Sequence, residues 1–430
     1  MPSVPTRLPP MSTRHGALPP MKIPTPAAVH LSVLAAVLLA GTSLAQMTPV
    51  FQPRPKIRLH QPPPQPGQPG DALPGLSTAE QALFMAGREE FEAVETVEGG
   101  LGPIFNGTSC AACHSAGASG GASANTVTRF GRLVNGQFDP LDALGGSLLQ
   151  AKAIAPAVQE RVPPEANVVA LRLSTPLFGA GLIEAIPDAD ILLAARRPQP
   201  DGIQGRAAPI TDVTTGKSRI GRFGWKAQQA SLLGFAGDAY LNEMGVTNRF
   251  FPTENAPNGN QALLAQWDHV PELEDAVDPA TGTSDIDHAA DFMRLLAPPP
   301  PLRATASSLA GARVFERVGC AACHTPVQMT GASPVAALAH KPVPLYSDLL
   351  LHDMGRLGDG IAQAAARTSE MRTAPLWGLR LRGPYLHDGR AATVDAAVRA
   401  HDGQAAATTQ RYKALGSAER QQLLDFLGTI

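Results

Sequence analysis

The sequence has few aromatic residues, few charged residues and almost no net charge. Of its 430 residues, 5% are aromatic and 17% are charged, and the formal net charge is −2. A nucleic-acid-binding protein needs a basic surface to offset phosphate charge, so this balance argues against a nucleic-acid partner. Cysteine is also scarce, with four residues. All four fall in two copies of one short motif, which leaves none for a disulfide framework.

Long apolar runs are missing too, apart from one near the N-terminus. A basic residue precedes an apolar stretch from Val29 to Leu44, which is too short for a comfortable membrane span of about 20 residues. Small residues at its end suit cleavage after Ala45. We therefore expect a signal peptide over residues 1–45, export to the periplasm and no membrane span after processing. The apolar stretch begins far from Met1, so Met21 is an alternative start.

Proline-rich segments divide the rest of the chain. Residues 46–76 are crowded with Pro, Gln and Gly, a composition that predicts an extended tether without packed structure. A capping box at Ser77 then predicts the start of the first helix. A run of four prolines at 298–301 predicts the boundary between an N-terminal domain, residues 77–297, and a C-terminal domain, residues 302–430.

The cysteine motif carries the clearest chemistry in the sequence. Each copy is Cys-Ala-Ala-Cys-His, and the two copies consist of Cys110, Cys113 and His114 and of Cys320, Cys323 and His324. The thiols of such a motif can add to the two vinyl groups of a haem, while the histidine becomes the proximal iron ligand. A zinc half-site and a thioredoxin-like redox pair are the rival interpretations. Both copies have histidine in the fifth position, so we predict two covalently bound haems c.

Two further patterns indicate that the halves are duplicates. Residues 86–92 and 310–316 share the pattern Ala-Gly-x-x-x-Phe-Glu ahead of each cysteine motif, and an Asp-Phe pair recurs at 291–292 and 425–426. We therefore predict a mainly α fold of two cytochrome c-like domains, the N-terminal one enlarged by loop-rich insertions between residues 115 and 285. Alternating strand patterns are scarce apart from a short run at residues 167–173.

The function of each haem depends on the ligand opposite its proximal histidine. A sixth protein ligand gives an electron-transfer haem, whereas an open position lets a small molecule bind. For the second haem, His352, Met354 and His401 all follow the motif, and each is plausible by chemistry alone.

Two motifs near the C-terminus carry a family resemblance. Residues 371–376 (Met-Arg-Thr-Ala-Pro-Leu) and 384–389 (Pro-Tyr-Leu-His-Asp-Gly) resemble the C-terminal pattern of bacterial di-haem cytochrome c peroxidases and the related MauG enzyme. In that family the sixth ligand, a methionine or a tyrosine, lies 14 residues after the histidine of the second motif. Here that histidine is His387 and the ligand position is His401. The resemblance implies bis-histidine ligation by His324 and His401, with a lowered reduction potential.

The same resemblance implies that His387 braces the haem pocket by hydrogen bonding. His352 and Met354 remain rival ligands, and a surface position at a helix end is the simplest alternative for His401.

Most of residues 77–430 also resemble the di-haem oxidoreductase family, whose members are described as peroxidases and sometimes as thiol oxidoreductases. The stretches that carry this resemblance are 102–109, 175–186, 222–227 and 346–355. We discount a thiol oxidoreductase activity, because both cysteine pairs are expected to be consumed as thioethers.

In the peroxidases the N-terminal haem meets peroxide, with a Gln and a Glu in its distal pocket. Aligned on residues 223–227, this sequence has Leu233 where the peroxidases have the catalytic glutamate, although peroxide cleavage needs a positioned acid-base group. Glu184, Glu243 and Lys226 are the candidate substitutes, because a carboxyl group in an apolar setting has a raised pKa.

Two more residues are candidates near the first haem. Met244 is an alternative ligand of the first iron, or else an ordinary core methionine. Trp225 is a candidate relay for electrons, or else an ordinary core tryptophan. We take Glu184, Trp225 and Lys226 as the catalytic candidates.

Together these features predict a periplasmic di-haem oxidoreductase. Electrons from a small redox protein of the cytochrome or cupredoxin type enter at the C-terminal haem, and the N-terminal haem reduces a small oxidant, with hydrogen peroxide as the leading candidate. The alternatives are an electron carrier without a substrate and a MauG-like enzyme that oxidises a partner protein. The resemblance also suggests a calcium ion between the two domains, as in the peroxidases.

Overall fold

The computed structural model describes residues 67–270 and 272–430, and helices make up more of this part than strands do. Its α-helices are, in chain order, α1 (Thr78–Glu92), α2 (Ala180–Glu184), α3 (Asp188–Ala195), α4 (Leu232–Ala239), α5 (Gln261–Trp267), α6 (Asp285–Leu295), α7 (Ala306–Val318), α8 (Val394–Ala400), α9 (Ala406–Lys413) and α10 (Ser417–Leu427). About 34% of the described residues are helical, with 3-10 and π-helical turns included, and 15% are in strands or bridges, which agrees with the mainly α prediction.

The strands are short and form small antiparallel sheets. They are β1 (Ile104–Phe105), β2 (Thr126–Val134), β3 (Gln137–Asp139), β4 (Leu148–Leu149), β5 (Lys152–Ala153), β6 (Val168–Leu173), β7 (Pro209–Thr211), β8 (Ser218–Ile220), β9 (Gln328–Met329), β10 (Pro342–Val343), β11 (Leu351–Asp353) and β12 (Glu370–Arg372). In the largest sheet the strand order is β3-β2-β4, and β6 also pairs with β2. The strand predicted at residues 167–173 is confirmed as β6, whereas its nine-residue partner β2 was not predicted.

Two equivalent helix pairs underlie the sequence repeat. α1 packs on α6 and α7 packs on α10, so that each motif-proximal helix lies against the last helix of its half. A Cβ on Gly87 would lie 2.3 Å from the carbonyl oxygen of His288, and one on Gly311 would lie 1.8 Å from that of Gln422. Only glycine permits so close an approach of two helices. The repeated glycine is therefore a packing residue in both halves.

The repeated phenylalanines meet across the same helix pairs. The ring centroids of Phe91 and Phe292 are 4.6 Å apart, and those of Phe315 and Phe426 are 5.4 Å apart, distances typical of packed aromatic pairs. The duplication that the sequence predicts is thus visible as two similar helix pairs, each ending beside a cysteine motif.

The hydrophobic core does not stop at the tetraproline. One cluster of buried residues runs from Leu73 to Leu296 and also includes Leu349 and Trp377 from the C-terminal half. A second cluster lies wholly within residues 312–430. Because the first cluster joins both halves, the division at 298–301 stays a prediction.

The tether prediction fails for its last residues. Leu73 and Leu76 are buried, and the Leu73 N–H donates to the carbonyl oxygen of Leu295 at 2.8 Å. These two leucines supply the apolar contacts that a free tether lacks, so packing begins before Ser77. The capping box itself is confirmed, since the Ser77 N–H donates to Glu80 Oε2 at 2.7 Å and the Glu80 N–H donates to Ser77 Oγ at 3.2 Å.

The predicted signal peptide and the rest of the tether lie outside the described residues. Among the described helices, none combines the length and the apolar character needed to cross a membrane.

Candidate haem sites

Each cysteine motif opens into its own cavity. The N-terminal cavity, of about 480 Å³, is lined by Cys110, Cys113 and His114. The C-terminal cavity, of about 200 Å³, is lined by Cys320, Cys323 and His324. All four cysteines are free thiols. The haem-attachment residues predicted from the sequence are therefore together at two separate cavities, as two haems require.

The motif histidines are oriented as metal ligands. His114 Nδ1 lies 3.1 Å from the carbonyl oxygen of Gly121, and His324 Nδ1 lies 3.0 Å from that of Tyr346. A backbone acceptor at Nδ1 fixes the proton there and leaves the Nε2 lone pair free for a metal. Burial lowers the pKa of His114 to about 4, and burial together with the charge of His401 lowers the pKa of His324 to about 4. Both imidazoles are thus neutral, as iron ligation requires.

His401 faces His324 across the C-terminal cavity. The two ring centroids are 6.5 Å apart. Two imidazole nitrogens at about 2.0 Å on opposite sides of one metal place their ring centroids roughly 6 to 6.5 Å apart. His401 Nδ1 lies 2.8 Å from the carbonyl oxygen of Ala397, and burial lowers its pKa. The geometry fits a metal held between these two residues.

The first rival ligand, His352, has both ring nitrogens engaged. Nε2 lies 2.9 Å from Asp348 Oδ2 and Nδ1 lies 2.9 Å from Gln404 Oε1. Burial alone would lower the pKa of His352, but hydrogen bonds and charges from Asp348 and Cys323 outweigh it and raise that pKa to about 11. With both ring nitrogens hydrogen-bonded, His352 has no nitrogen free to bind iron. Met354 lines the cavity and keeps its place as a rival.

His387 lies in the wall of the C-terminal cavity and is 3% exposed. Its carbonyl oxygen accepts a hydrogen bond from the Leu173 N–H at 2.6 Å, and its ring meets Trp225 edge-on with centroids 6.2 Å apart. Asp388 Oδ2 is 3.8 Å from Nε2. These contacts place His387 at the pocket wall, where the predicted bracing role is possible.

Trp225 lines both cavities, as do Leu173 and Ser174. The indole Nε1–H donates to the carbonyl oxygen of Leu173 at 2.8 Å, and the Trp225 carbonyl accepts from the Arg372 N–H at 2.8 Å. The ring is therefore held in the wall that separates the two sites. This is the placement that the predicted relay requires.

Glu184, a catalytic candidate from the sequence, lines neither cavity. Its Oε1 accepts from the Leu232 N–H at 2.7 Å at the start of α4, and its Oε2 pairs with Arg294 at 2.8 Å. Both carboxylate oxygens are thus committed to structural partners. The distal-pocket role predicted for Glu184 is not supported, because its partners hold it in the helical core.

Lys226 also lies away from both cavities. Its side chain is completely buried, and Nζ pairs with Asp359 Oδ1 at 2.8 Å. Nζ also donates to the carbonyl oxygens of Arg367, Thr368 and Glu370, at 3.2, 3.2 and 2.6 Å. Burial, partly offset by Asp359, lowers the pKa of Lys226 to about 8. With every donor occupied, Lys226 joins the two halves rather than serving catalysis.

The third candidate, Glu243, does line the N-terminal cavity, together with Asp238 and Asn242. α4 continues into a π-helical turn, Tyr240–Met244, a feature that occurs frequently at functional sites. Glu243 Oε2 accepts from Asn106 Nδ2 at 2.9 Å. Burial raises the pKa of both Glu243 and Asp238.

Leu233, which the alignment on residues 223–227 sets against the catalytic glutamate of the peroxidases, lines neither cavity. Glu243, a cavity-lining carboxyl group, lies ten residues further on, within the π-helical turn. A Glu-Met pair directly after an apolar helix was the available signal. Met244 lines the same cavity and is 3% exposed.

A family model described as "Di-haem oxidoreductase, putative peroxidase" matches residues 152–430. No curated protein sequence matches the chain.

Several solved structures are distantly similar. Hydrazine synthase from Kuenenia stuttgartiensis is 15% identical, with 93% of this chain and 100% of that chain covered and a TM-score of 0.40. A MauG-like protein associated with microbial copper homeostasis is 16% identical, with 63% and 92% covered and a TM-score of 0.30. The diheme peroxidase BthA from Burkholderia thailandensis is 14% identical, with 81% and 85% covered and a TM-score of 0.36.

The structural similarities are too remote to assign a function, whereas the family model spans well over half of the chain. It includes the second cysteine motif, Trp225 and Glu243. The chain therefore belongs to the di-haem oxidoreductase family and is a peroxidase-like oxidoreductase enzyme with two haem cofactors.

Proposed function

We propose that this chain is a periplasmic di-haem c-type enzyme that reduces hydrogen peroxide. Electrons enter at the C-terminal haem and leave at the N-terminal haem. The observation that carries the proposal is the difference between the two cavities. In the C-terminal cavity a second imidazole, His401, faces the motif histidine. Among the described residues lining the N-terminal cavity, His114 is the only histidine, and two carboxyl groups of raised pKa accompany it.

The residues fit covalent attachment at both sites. Each cavity is lined by both thiols and the histidine of its motif, so Cys110, Cys113 and His114 would hold one haem. Cys320, Cys323 and His324 would hold the other, with His401 as a second residue able to bind its iron. When bound, the two haems would supply the redox chemistry by carrying electrons one at a time.

Reduction of hydrogen peroxide to two waters consumes two electrons and two protons. A positioned acid-base group must therefore remove a proton from one peroxide oxygen and deliver it to the departing one. Glu243 is suited to this, because burial brings its pKa closer to the working pH. Asn106, which donates to Glu243 Oε2, fixes the carboxyl group in place.

Trp225 supports a direct electron path between the sites. Its ring lies in the wall shared by the two cavities and is fixed by the hydrogen bond to Leu173. An indole in this position shortens the tunnelling distance by dividing one long step into two. The donor in this scheme is a small cytochrome or cupredoxin, and export by the N-terminal leader would bring the enzyme to it.

The proposed function includes no calcium ion. Among the described residues, the single group of three ligand side chains able to hold a metal is Cys323, Asp348 and His352. A thiol and an imidazole are not ligands that calcium favours, since calcium takes oxygen donors. Cys323 is in addition required for haem attachment.

The test is the electron paramagnetic resonance spectrum of the oxidised holoprotein before and after addition of hydrogen peroxide. We expect one high-spin and one low-spin haem, with peroxide changing the high-spin signal. Two low-spin signals that are indifferent to peroxide, even after partial reduction, would instead identify an electron carrier. In that case Met244, which lines the N-terminal cavity, is the first residue to examine as the extra ligand.

A further inference from the structure

The N-terminal cavity contains a guanidinium group without a carboxylate partner. Arg129 lies on β2, lines this cavity and is partly accessible from it. Its Nη1 donates to Ser147 Oγ at 3.3 Å, and its buried Nε has no hydrogen-bond partner among the described residues. An arginine in this setting has lost part of its hydration without gaining an ion pair. Such a group is ready to bind a negative charge.

The second arginine of the same cavity is in a different state. Arg172, on the neighbouring strand β6, pairs with Asp359 Oδ2 at 2.6 Å and donates to Gln363 Oε1 at 2.5 Å. Its charge is therefore already compensated within the protein. Of the two cavity arginines, Arg172 is thus paired with a carboxylate, whereas Arg129 has its one side-chain hydrogen bond among the described residues to the neutral hydroxyl of Ser147.

Arg129 acts on the part of the cavity that contains the candidate acid-base group. Burial raises the pKa of Glu243 and of Asp238. The positive charge of Arg129 lowers both pKa values, and it is the largest effect in that direction. In the described residues, however, the guanidinium forms no ion pair with either carboxylate. The guanidinium group of Arg129 and the carboxyl groups of Asp238 and Glu243 thus line the same cavity without forming ion pairs with one another.

The two cavities also differ in volume and in lining. Both cavities carry the same haem-attachment motif, yet the N-terminal one is about 480 Å³ and the C-terminal one about 200 Å³. No carboxylate of a described residue lines the C-terminal cavity, whereas Asp238 and Glu243 line the N-terminal one. Of the two cavities, the larger is therefore the one whose described lining can exchange protons through carboxyl groups.

We propose that Arg129 forms a binding site for small anions beside Glu243 in the N-terminal cavity. Its ligand class is a small inorganic anion or short carboxylate, held by charge-assisted hydrogen bonds to the guanidinium. The same group would stabilise negative charge that develops on the oxygen of a bound oxidant. This inference rests on the proposed function, because it requires an N-terminal haem that is open to ligands.

The experiment measures anion binding to the oxidised holoprotein by optical titration with sodium fluoride and sodium formate. Arg129→Gln is expected to weaken binding of both anions about ten- to a hundredfold, the range for losing a hydrogen bond to a charged group. Carbon monoxide, an uncharged ligand of the reduced protein, should bind with unchanged affinity. Arg132→Gln is the matched control, since Arg132 lies on the same strand, pairs with Asp139 at 2.7 Å and lines neither cavity.

Each outcome has one meaning. Unchanged fluoride and formate affinity in Arg129→Gln, with carbon monoxide still bound, would overturn the anion site. If the haem potential shifts in that variant while anion affinity stays the same, the partner of Arg129 is a carboxylate of the porphyrin, and the proposal is again wrong. Failure of carbon monoxide to bind the unaltered protein would instead remove the proposed function itself. Should Arg129→Gln not fold, Arg129→Lys, which keeps the charge, must retain most of the anion affinity.

Discussion

The two cavities contain the same five-residue motif, but the other residues that line them differ. In the C-terminal cavity a second imidazole lies 6.5 Å from the motif histidine, centroid to centroid, and no carboxylate of a described residue lines the wall. In the larger N-terminal cavity the motif histidine is the only histidine among the described lining residues, and the carboxyl groups of Asp238 and Glu243 line the same cavity. The same motif is therefore combined with different surroundings in the two cavities.

The difference arises from the segments that follow each motif. After the second motif, the end of α8 supplies His401 directly into the cavity. After the first motif, a sheet and a π-helical turn supply Arg129 and Glu243 instead. The segments after the two motifs therefore give the two cavities different linings. This difference is the basis of the proposed division between an electron-accepting site and a substrate site.

The largest expected effect is on the C-terminal site. In His401→Ala the second axial ligand is lost, so we expect the low-spin signal of the C-terminal haem to convert completely to high-spin. Electron paramagnetic resonance of the oxidised protein measures this directly. The two sites would then resemble each other in spin state.

His352→Gln is the comparison for this change. His352 lines the same cavity but is bonded to Asp348 and Gln404, so its replacement should leave the low-spin signal in place. A low-spin spectrum that survives in His401→Ala would remove His401 as a ligand and leave Met354 as the remaining candidate.

The next effect concerns the acid-base group. Glu243→Gln removes the ionisable group from the N-terminal cavity, and we expect the rate of peroxide reduction to fall by about 10²- to 10⁴-fold. Stopped-flow spectroscopy with hydrogen peroxide measures this rate. Carbon monoxide binding to the reduced haem serves as the control, since it needs no proton transfer and should be unaffected.

The pH dependence of the same reaction gives a second measure. Burial raises the pKa of Glu243 above that of an ordinary glutamate. A carboxylate accepts a proton only when ionised, so the rate should rise with pH through that raised pKa and level off above it. In Glu243→Gln this rise should disappear. A rise that persists unchanged would assign the titration to another group, with Asp238 as the next candidate.

A change in stability without a change at either site is expected for Lys226→Met. The substitution leaves Asp359 with Arg172 as its ion-pair partner and removes the donor from three backbone carbonyls. Breaking a buried pair from one side costs about 3 to 5 kcal/mol. Denaturant unfolding measures this loss, with Lys217→Met, at an exposed position between β7 and β8, as the control. Both haem spectra should be unaltered; a changed peroxide reaction would restore Lys226 as a catalytic residue.

Sequence reasoning succeeded where a short local pattern carries the function. Two of the features, the cysteine motif and the capping box at Ser77, consist of residues within one or two helical turns of each other. The repeated Gly87 and Gly311 could be recognised because the pattern around them is duplicated. His401 was predicted as a ligand by a different route, a fixed distance from His387 in a related family, and its ligand role stays a prediction. Its spacing from His324 in the structure agrees with that expectation.

Sequence reasoning failed where partners are distant along the chain. Glu184 and Lys226 were attractive because a charged residue in an apolar stretch suggests a perturbed pKa. Their partners, Arg294 and Asp359, are more than a hundred residues away and could not be assigned from the pattern. Glu243 was named only as one of several substitutes, because the alignment did not anticipate the π-helical turn that presents it.

The smallest expected effect distinguishes Glu184 from Glu243, the two glutamates that the sequence offers as acid-base candidates. Glu184→Gln removes the charge that pairs with Arg294 but keeps an oxygen that can still accept from the Leu232 N–H at the start of α4. The pair is partly exposed, with side-chain exposures of 27% and 20%. We expect the free energy of unfolding to fall by about 1 kcal/mol or less, as for a partly screened ion pair. Peroxide reduction, measured alongside Glu243→Gln, should be unchanged. Because Glu184 lines neither cavity, a loss of activity comparable to that of Glu243→Gln would mean that the N-terminal site is organised through α4 as a whole rather than through the carboxyl group inside it.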